Sequence, residues 1–209
     1  MKTNSRGLIV VKLGGSLALS LGFAPWLDVL SECRKPLILV PGGGPFADCA
    51  RMAQAAMKFS DATAHHLALL SMEQFGVVLA AHSKKFVLAD SRVEFEGASG
   101  AGKIPIWRPA RMVLAASEVP QTWDVTSDSL AAWLARVMGA CHLLLIKSCN
   151  VAAPAPISDL VAKKIIDPLF PRFVAASSAE VWLAGPHSLT AAADEFRRGA
   201  LPGIKIACE

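Results

Sequence analysis

The chain has 209 residues, 53% of them hydrophobic, with a mean hydropathy of +0.43; this excludes a disordered polypeptide and predicts one compact domain over 1–209. A formal charge of +4 spread along the chain suits an anionic small molecule and excludes the dense basic footprint of a nucleic-acid binder. No apolar run reaches the roughly 20 residues of a membrane span, and the N-terminal run LIVV is too short for a signal-peptide core, so a cytoplasmic protein without a membrane partner is expected.

In chain order, short β-rich apolar runs alternate with longer helical patterns. The runs LIVVKL (8–13), PLILVP (36–41), KFVLA (85–89), HLLLIK (142–147), EVWLAG (180–185) and IKIAC (204–208) read as strands. They are apolar throughout, as in strands covered on both faces. Helical periodicity is expected over 46–58, 62–81, 127–138 and 188–198, and Gly and Pro mark loops at 96–105 and 150–159. Strands alternating with helices define the α/β class with a largely parallel sheet. The five cysteines, Cys33, Cys49, Cys141, Cys149 and Cys208, form no C-x-x-C pair. That argues against a zinc cage or a disulfide framework and predicts reduced, mostly buried thiols. The high apolar fraction also points to a buried subunit interface, hence a homo-oligomer.

Two glycine clusters follow directly on predicted strands: Gly14, Gly15 and Ser16 after the first, and Gly42, Gly43 and Gly44 after the second. Each alone reads as a tight turn. Together, at the carboxyl ends of two strands, they read as a phosphate cradle in which backbone N–H groups approach an anion closely. The sequence contains neither G-x-G-x-x-G nor the Walker pattern, so a Rossmann dehydrogenase and a P-loop enzyme are not expected. Lys12 lies inside an apolar strand, where it either meets an anion or extends its ammonium out to water at the strand end. Lys147 repeats the arrangement, and the pair can flank a transferring phosphoryl group. Between them in chemistry stands TWDVTSDSLAAWLA, where Thr126, Ser127 or Asp128 can cap a helix. Asp128 also suits a carboxylate that fixes two lysines and keeps them charged. His65 and His66 are neighbours on a helical pattern and point in different directions; packing or surface positions are expected, with metal binding the lesser alternative.

These motifs resemble the amino acid kinase superfamily over nearly the whole chain. VVKLGGS is similar to its opening phosphate motif, LVPGGGPFAD to its second glycine loop and TWDVTSDS to the helix bearing its organising aspartate. GGGPFAD, AHHLALLSMEQFG, WDVTSDS and IIDPLFP most resemble the small branch that includes the aminomethylfuranyl-methyl phosphate kinases of methanofuran and methylofuran biosynthesis. The resemblance implies a three-layer α/β/α sandwich and ATP-dependent phosphorylation of a small phosphomonoester to a diphosphate. It implies that Lys12 holds the transferring phosphoryl group with Lys147 beside it, and that Asp128 orients the lysines. It also implies that Gly14, Gly15, Gly43 and Gly44 donate N–H bonds, and that Mg2+ rides mainly on the ATP phosphates with no protein metal site. Asp48, Arg51 and Glu73, with Thr126 and Ser127, are candidates to contact the acceptor; for the first three, solvated helix charges are an equal reading. The chain departs from the family pattern at Ser148, Cys149, Asn150 and Val151, where relatives usually carry Asp-Val-Asp-Gly. That departure gives a second expectation: a weak or inactive homologue that binds a phosphorylated ligand or serves as a subunit of a biosynthetic complex.

Overall fold

Seven strands, β1 (Ile9–Leu13), β2 (Leu37–Pro41), β3 (Phe86–Ala89), β4 (Ile104–Trp107), β5 (His142–Ile146), β6 (Glu180–Ala184) and β7 (Ile204–Lys205), form one sheet in the order β3-β4-β2-β1-β5-β6-β7. This is a computed structural model that describes residues 7–153 and 155–207. All strand pairs are parallel except β6 with β7. The helices are α1 (Phe23–Ser31), α2 (Gly44–Met57), α3 (Asp61–His82), α4 (Arg92–Gly100), α5 (Ala110–Leu114), α6 (Ser127–Met138), α7 (Ile157–Ala162), α8 (Phe170–Ala175) and α9 (Leu189–Arg197).

Strand alternation divides the apolar side chains between two cores, which is what makes three layers. Val10, Ile38, Val40, Leu143 and Leu145 pack with Leu130, Leu134 and Phe170 on one face of the sheet. Ile9, Val11, Leu13, Leu39 and Leu144 pack with Trp26, Leu30 and Phe196 on the other. Lys12 has the parity of Val10, and Lys147 that of Leu143 and Leu145. Both lysines therefore leave the sheet on the face that carries α6.

Several expectations need correction. The segment 96–105 is not a loop, because α4 occupies Arg92–Gly100 and β4 begins at Ile104. Ser91 Oγ accepts the Glu94 N–H at 3.4 Å while Glu94 Oε2 accepts the Asp90 N–H at 2.7 Å, a reciprocal cap that outweighs the poor helix propensity of Gly97 and Gly100. Pro105 disguised β4, and it is tolerated because the ladder from β4 to β2 is confined to the pair Leu39↔Ile106. The loop at 150–159 ends early, at the start of α7. Of the run 204–208, only Ile204–Lys205 pairs as a strand, and position 208 lies outside the described residues. Burial on both faces holds along β1 and β2 but not on the outer strand β3, where Leu88 is exposed. Among the described residues Cys33, Cys49, Cys141 and Cys149 form no disulfide, and against the expectation of mostly buried thiols none is fully buried, with Cys49 and Cys149 exposed. Among the described residues no helix is long and apolar enough to cross a membrane.

Candidate active site

β1 stands between β2 and β5, the place where the strand order reverses, and a parallel sheet opens a crevice at the carboxyl ends of such strands. Lys12 lies opposite Leu145 in the register of β1 and β5, so Lys147, just past the end of β5, emerges beside it. Both lysines are buried, at 5% and 8% exposure, and they converge on Asp128 in the first turn of α6, itself 4% exposed. Lys147 Nζ donates to Asp128 Oδ2 at 2.6 Å. Lys12 Nζ stands 2.9 Å from Oδ1 in a close, buried ion pair.

The charges in this cluster reshape one another. Burial pushes the Asp128 carboxyl up, but Lys12 and Lys147 together outweigh it and hold it below the ordinary aspartate value. Burial, and then the charge of Lys12, lowers Lys147 to about 8, against the opposing pull of Asp128. The family resemblance gave Asp167 no role, although it lies within the IIDPLFP stretch that carries it, and the structure places it here. Its Oδ2 accepts the N–H and hydroxyl of Thr126 at 3.1 and 2.8 Å and the Ser129 N–H at 2.9 Å, and the Ser129 hydroxyl donates to Oδ1. Burial, with repulsion from Asp128, raises the Asp167 carboxyl above its ordinary value even though these bonds pull it down. Asp167 thus takes up the orphan donors at the start of α6, leaving Asp128 free for the lysines.

The two glycine loops cross backbone to backbone. A Cβ on Gly15 would stand 2.4 Å from the Gly44 nitrogen, and one on Gly42 would stand 2.3 Å from the Gly15 nitrogen, so neither position admits a side chain. The crossing also assigns the donors. Gly14 N–H donates to the Ile146 carbonyl and Gly42 N–H to that of Leu13, each at 2.9 Å, so Gly14 is not the anion donor expected of it, and Gly42, expected in the cradle, offers no free N–H. Gly15, Ser16, Gly43 and Gly44 instead line a cavity of about 350 Å³. α2 begins at Gly44 with no side-chain cap and no acid in its first turn, which leaves its orphan N–H groups and the positive end of its dipole available to an anion.

The cavity continues along α3 past Met72, Leu69 and His65 to Trp123, Thr126 and Ser127. Asp48 and Arg51 stand in its wall as an exposed pair at 3.2 Å, with the Arg51 guanidinium 4.5 Å over the Trp123 ring. Glu73 is engaged elsewhere: Oε1 accepts the Ala110 N–H at 3.1 Å and so caps α5. At the altered loop, Ser148 Oγ shares a 2.8 Å hydrogen bond with Ser16 Oγ, and Asn150 Oδ1 accepts the His187 N–H at 2.9 Å. This loop is tied to the first glycine turn on one side and to the turn after β6 on the other. No three His, Cys, Asp or Glu side chains among the described residues converge to hold a metal ion.

A buried carboxylate flanked by two lysines, set beside an uncapped helix, can hold and neutralise polyanionic phosphates. The sequence comparisons agree with that chemistry. The family model described as "Amino acid kinase family" matches residues 7–151, and the chain belongs to this family. Over 143 residues it is 30% identical to a (5-(aminomethyl)furan-3-yl)methyl phosphate kinase of Methanocaldococcus jannaschii, covering 65% of this chain and 63% of that protein, less than two thirds of the relative's length. The fold is that of the uridylate kinase from Archaeoglobus fulgidus, with a TM-score of 0.69 and 16% identity over 95% of this chain and 99% of that one. It is also that of the UMP kinase from Ureaplasma parvum, with a TM-score of 0.66 and 12% identity over 96% and 98% of the two chains.

Proposed function

We propose that the protein is an ATP-dependent kinase that phosphorylates a small phosphomonoester to a diphosphate, with (5-(aminomethyl)furan-3-yl)methyl phosphate as the first acceptor to test. The observation that carries this reading is the buried Lys12–Asp128–Lys147 cluster at the strand ends, beside the uncapped start of α2. An acceptor phosphate with a second pKa of about 6 is already ionised at neutral pH, so its oxygen attacks the γ-phosphorus of ATP without a general base. The new P–O bond forms as the bond to the ADP oxygen breaks, and the products are ADP and a diphosphate. Lys12 and Lys147 offset the charge on the transferring group, and Asp128 holds both in place. The donors at Gly15, Ser16, Gly43 and Gly44 cradle the phosphates. Mg2+ would be carried by the ATP phosphates and water, its usual mode with nucleotides, and would offset phosphate charge there.

The test is acceptor-dependent ADP release by the unmodified protein, with isopentenyl phosphate, UMP and acetylglutamate as control acceptors. Release with the aminomethylfuranyl ester supports the reading. Silence with every acceptor, in protein shown to be folded, overturns it. The second reading, a binding protein without turnover, draws its support from the 148–151 loop, where the hydrogen bonds of Ser148 and Asn150 are structural. It requires phosphate esters to raise the melting temperature without ADP release.

A further inference from the structure

We propose that His65 reads the body of the phosphorylated substrate, its Nε2 accepting a hydrogen bond from an N–H or O–H group at the end remote from the phosphate. The inference rests on the phosphomonoester kinase reading and adds the chemistry that the acceptor carries. His65 is 3% exposed and lines the cavity, yet Nε2 has no hydrogen-bond partner. Trp26, Trp107 and Asp128 also carry unpartnered buried atoms, but His65 is the residue in that group, among those described, that lines this cavity. A buried polar atom without a partner is destabilising, which makes a ligand the natural source of one.

The charge state of the ring limits what that ligand supplies. Burial lowers the His65 pKa and favours the neutral imidazole, which has one N–H and one lone pair. The Thr122 backbone acts the other way, as a carbonyl beside a ring N–H does. A ligand donor at Nε2 selects the form with its N–H on Nδ1 and its lone pair on Nε2.

Two neighbouring polar groups are already engaged with protein. The Trp123 indole N–H donates to Gln54 Oε1 at 2.6 Å, and Arg51 is paired with Asp48. The walls between are apolar. His65, Ala68, Leu69 and Met72 form one face of α3, a stripe two turns long and about 10 Å from end to end. The glycine loops meet its far end, where a Cβ on Gly44 would stand 3.7 Å from Phe75, one turn beyond Met72. A phosphate at the glycine loops and a donor at His65 thus bracket a small apolar body. An amine or hydroxyl at that position satisfies Nε2, and an analogue without one leaves it bare, the situation in which discrimination is large.

Isothermal titration of the wild-type protein, His65→Leu and His65→Gln with two esters tests this. One ester is (5-(aminomethyl)furan-3-yl)methyl phosphate and the other has methyl in place of aminomethyl. The wild type is expected to bind the amine ester about tenfold or more tightly than the methyl ester. His65→Leu should remove that preference by weakening the amine ester alone, and His65→Gln, which keeps an acceptor oxygen, should restore part of it. Equal binding of both esters by the wild type, or a His65→Leu protein that weakens both alike, overturns the inference and leaves the kinase reading standing. Binding of neither ester by the wild type overturns both. Should His65→Leu fail to fold, the wild-type preference and the His65→Gln protein still decide.

Discussion

Two helices, α2 and α6, begin beside the crevice proposed to take phosphate, and they treat their N-termini in opposite ways. α2 starts on glycines and Pro45 with no cap and no acid. α6 starts under Thr126, with Asp128 in its first turn and Asp167 reaching in from a distant loop. Both carry the partial positive charge and orphan donors of a helix start, although Pro45 leaves α2 one N–H short. In α2 these remain open to an arriving anion; in α6 the N–H groups of Thr126, Asp128 and Ser129 are taken by protein oxygens, and the helix serves as a mount for the carboxylate that holds two lysines. The contrast teaches that a helix N-terminus in a phosphate site is a choice between binding the ligand and organising the groups that bind it.

The largest effect should come from removing what α6 organises. Lys12→Met is expected to lower the rate of phosphoryl transfer on the order of 10²–10³-fold, with Asp128→Asn comparable. Because the two act as one unit, the double variant should lose little more than either single one in the ADP-release assay. Fully additive losses would separate the lysine from its mount. Asp167→Ala tests the mount itself: four donors, from Thr126 and Ser129, lose their acceptor. Urea denaturation should show a stability loss of about 3 kcal/mol or more.

α2 should answer differently. Pro45→Asp places a carboxylate in its open first turn and is expected to weaken ATP or phosphate-ester binding roughly 5- to 30-fold, with the urea midpoint barely moved. A comparable stability loss in both helices would erase the distinction between them. The smallest effect near neutral pH concerns Lys147. As pH rises through about 8 its ammonium discharges, so kcat/KM should fall on an alkaline limb, and Lys147→Arg should move that limb upward. Stability should respond with the opposite sign. The folded pKa lies below the ordinary 10.5, so the unfolded chain binds more protons between about 8 and 10.5, and this group's contribution makes stability rise with pH across that window.

Sequence made α6 and the glycine loops visible because they break local rules: lysines at the ends of apolar strands, five glycines in two clusters, and more hydroxyls and acids than one cap requires. Asp167 was not visible, since IIDPLFP looks like an ordinary turn and its partners lie 38 and 41 residues earlier in the chain. His65 was read as packing or surface; its burial fits packing, but its position in a cavity wall depends on how α2, α3 and α6 come together. Glu73 looked available because nothing local reveals that the start of α5 will arrive beside it. For β4 the rule misled, as Pro105 and the glycines before it suggested a loop. For α4 the signal was present in Ser91-Arg92-Val93-Glu94 and lay hidden under those same glycines.

The contact between the glycine loops also bears on how such a protein diverges. Since the loops from β1 and β2 meet backbone to backbone at Gly15, Gly42 and Gly44, neither can be lengthened, shifted or given a side chain without displacing the other. On the proposed function they form one fixed jig for phosphate, closed to gradual tuning. New acceptors must then be gained at the other end of the cavity, along the exchangeable face of α3 and at Trp123, where a substitution changes the shape of the room without moving the phosphate. Selection on this scaffold should therefore leave the crossing untouched while the helix face drifts, so that a relative's substrate is written in its α3 stripe rather than in its glycines.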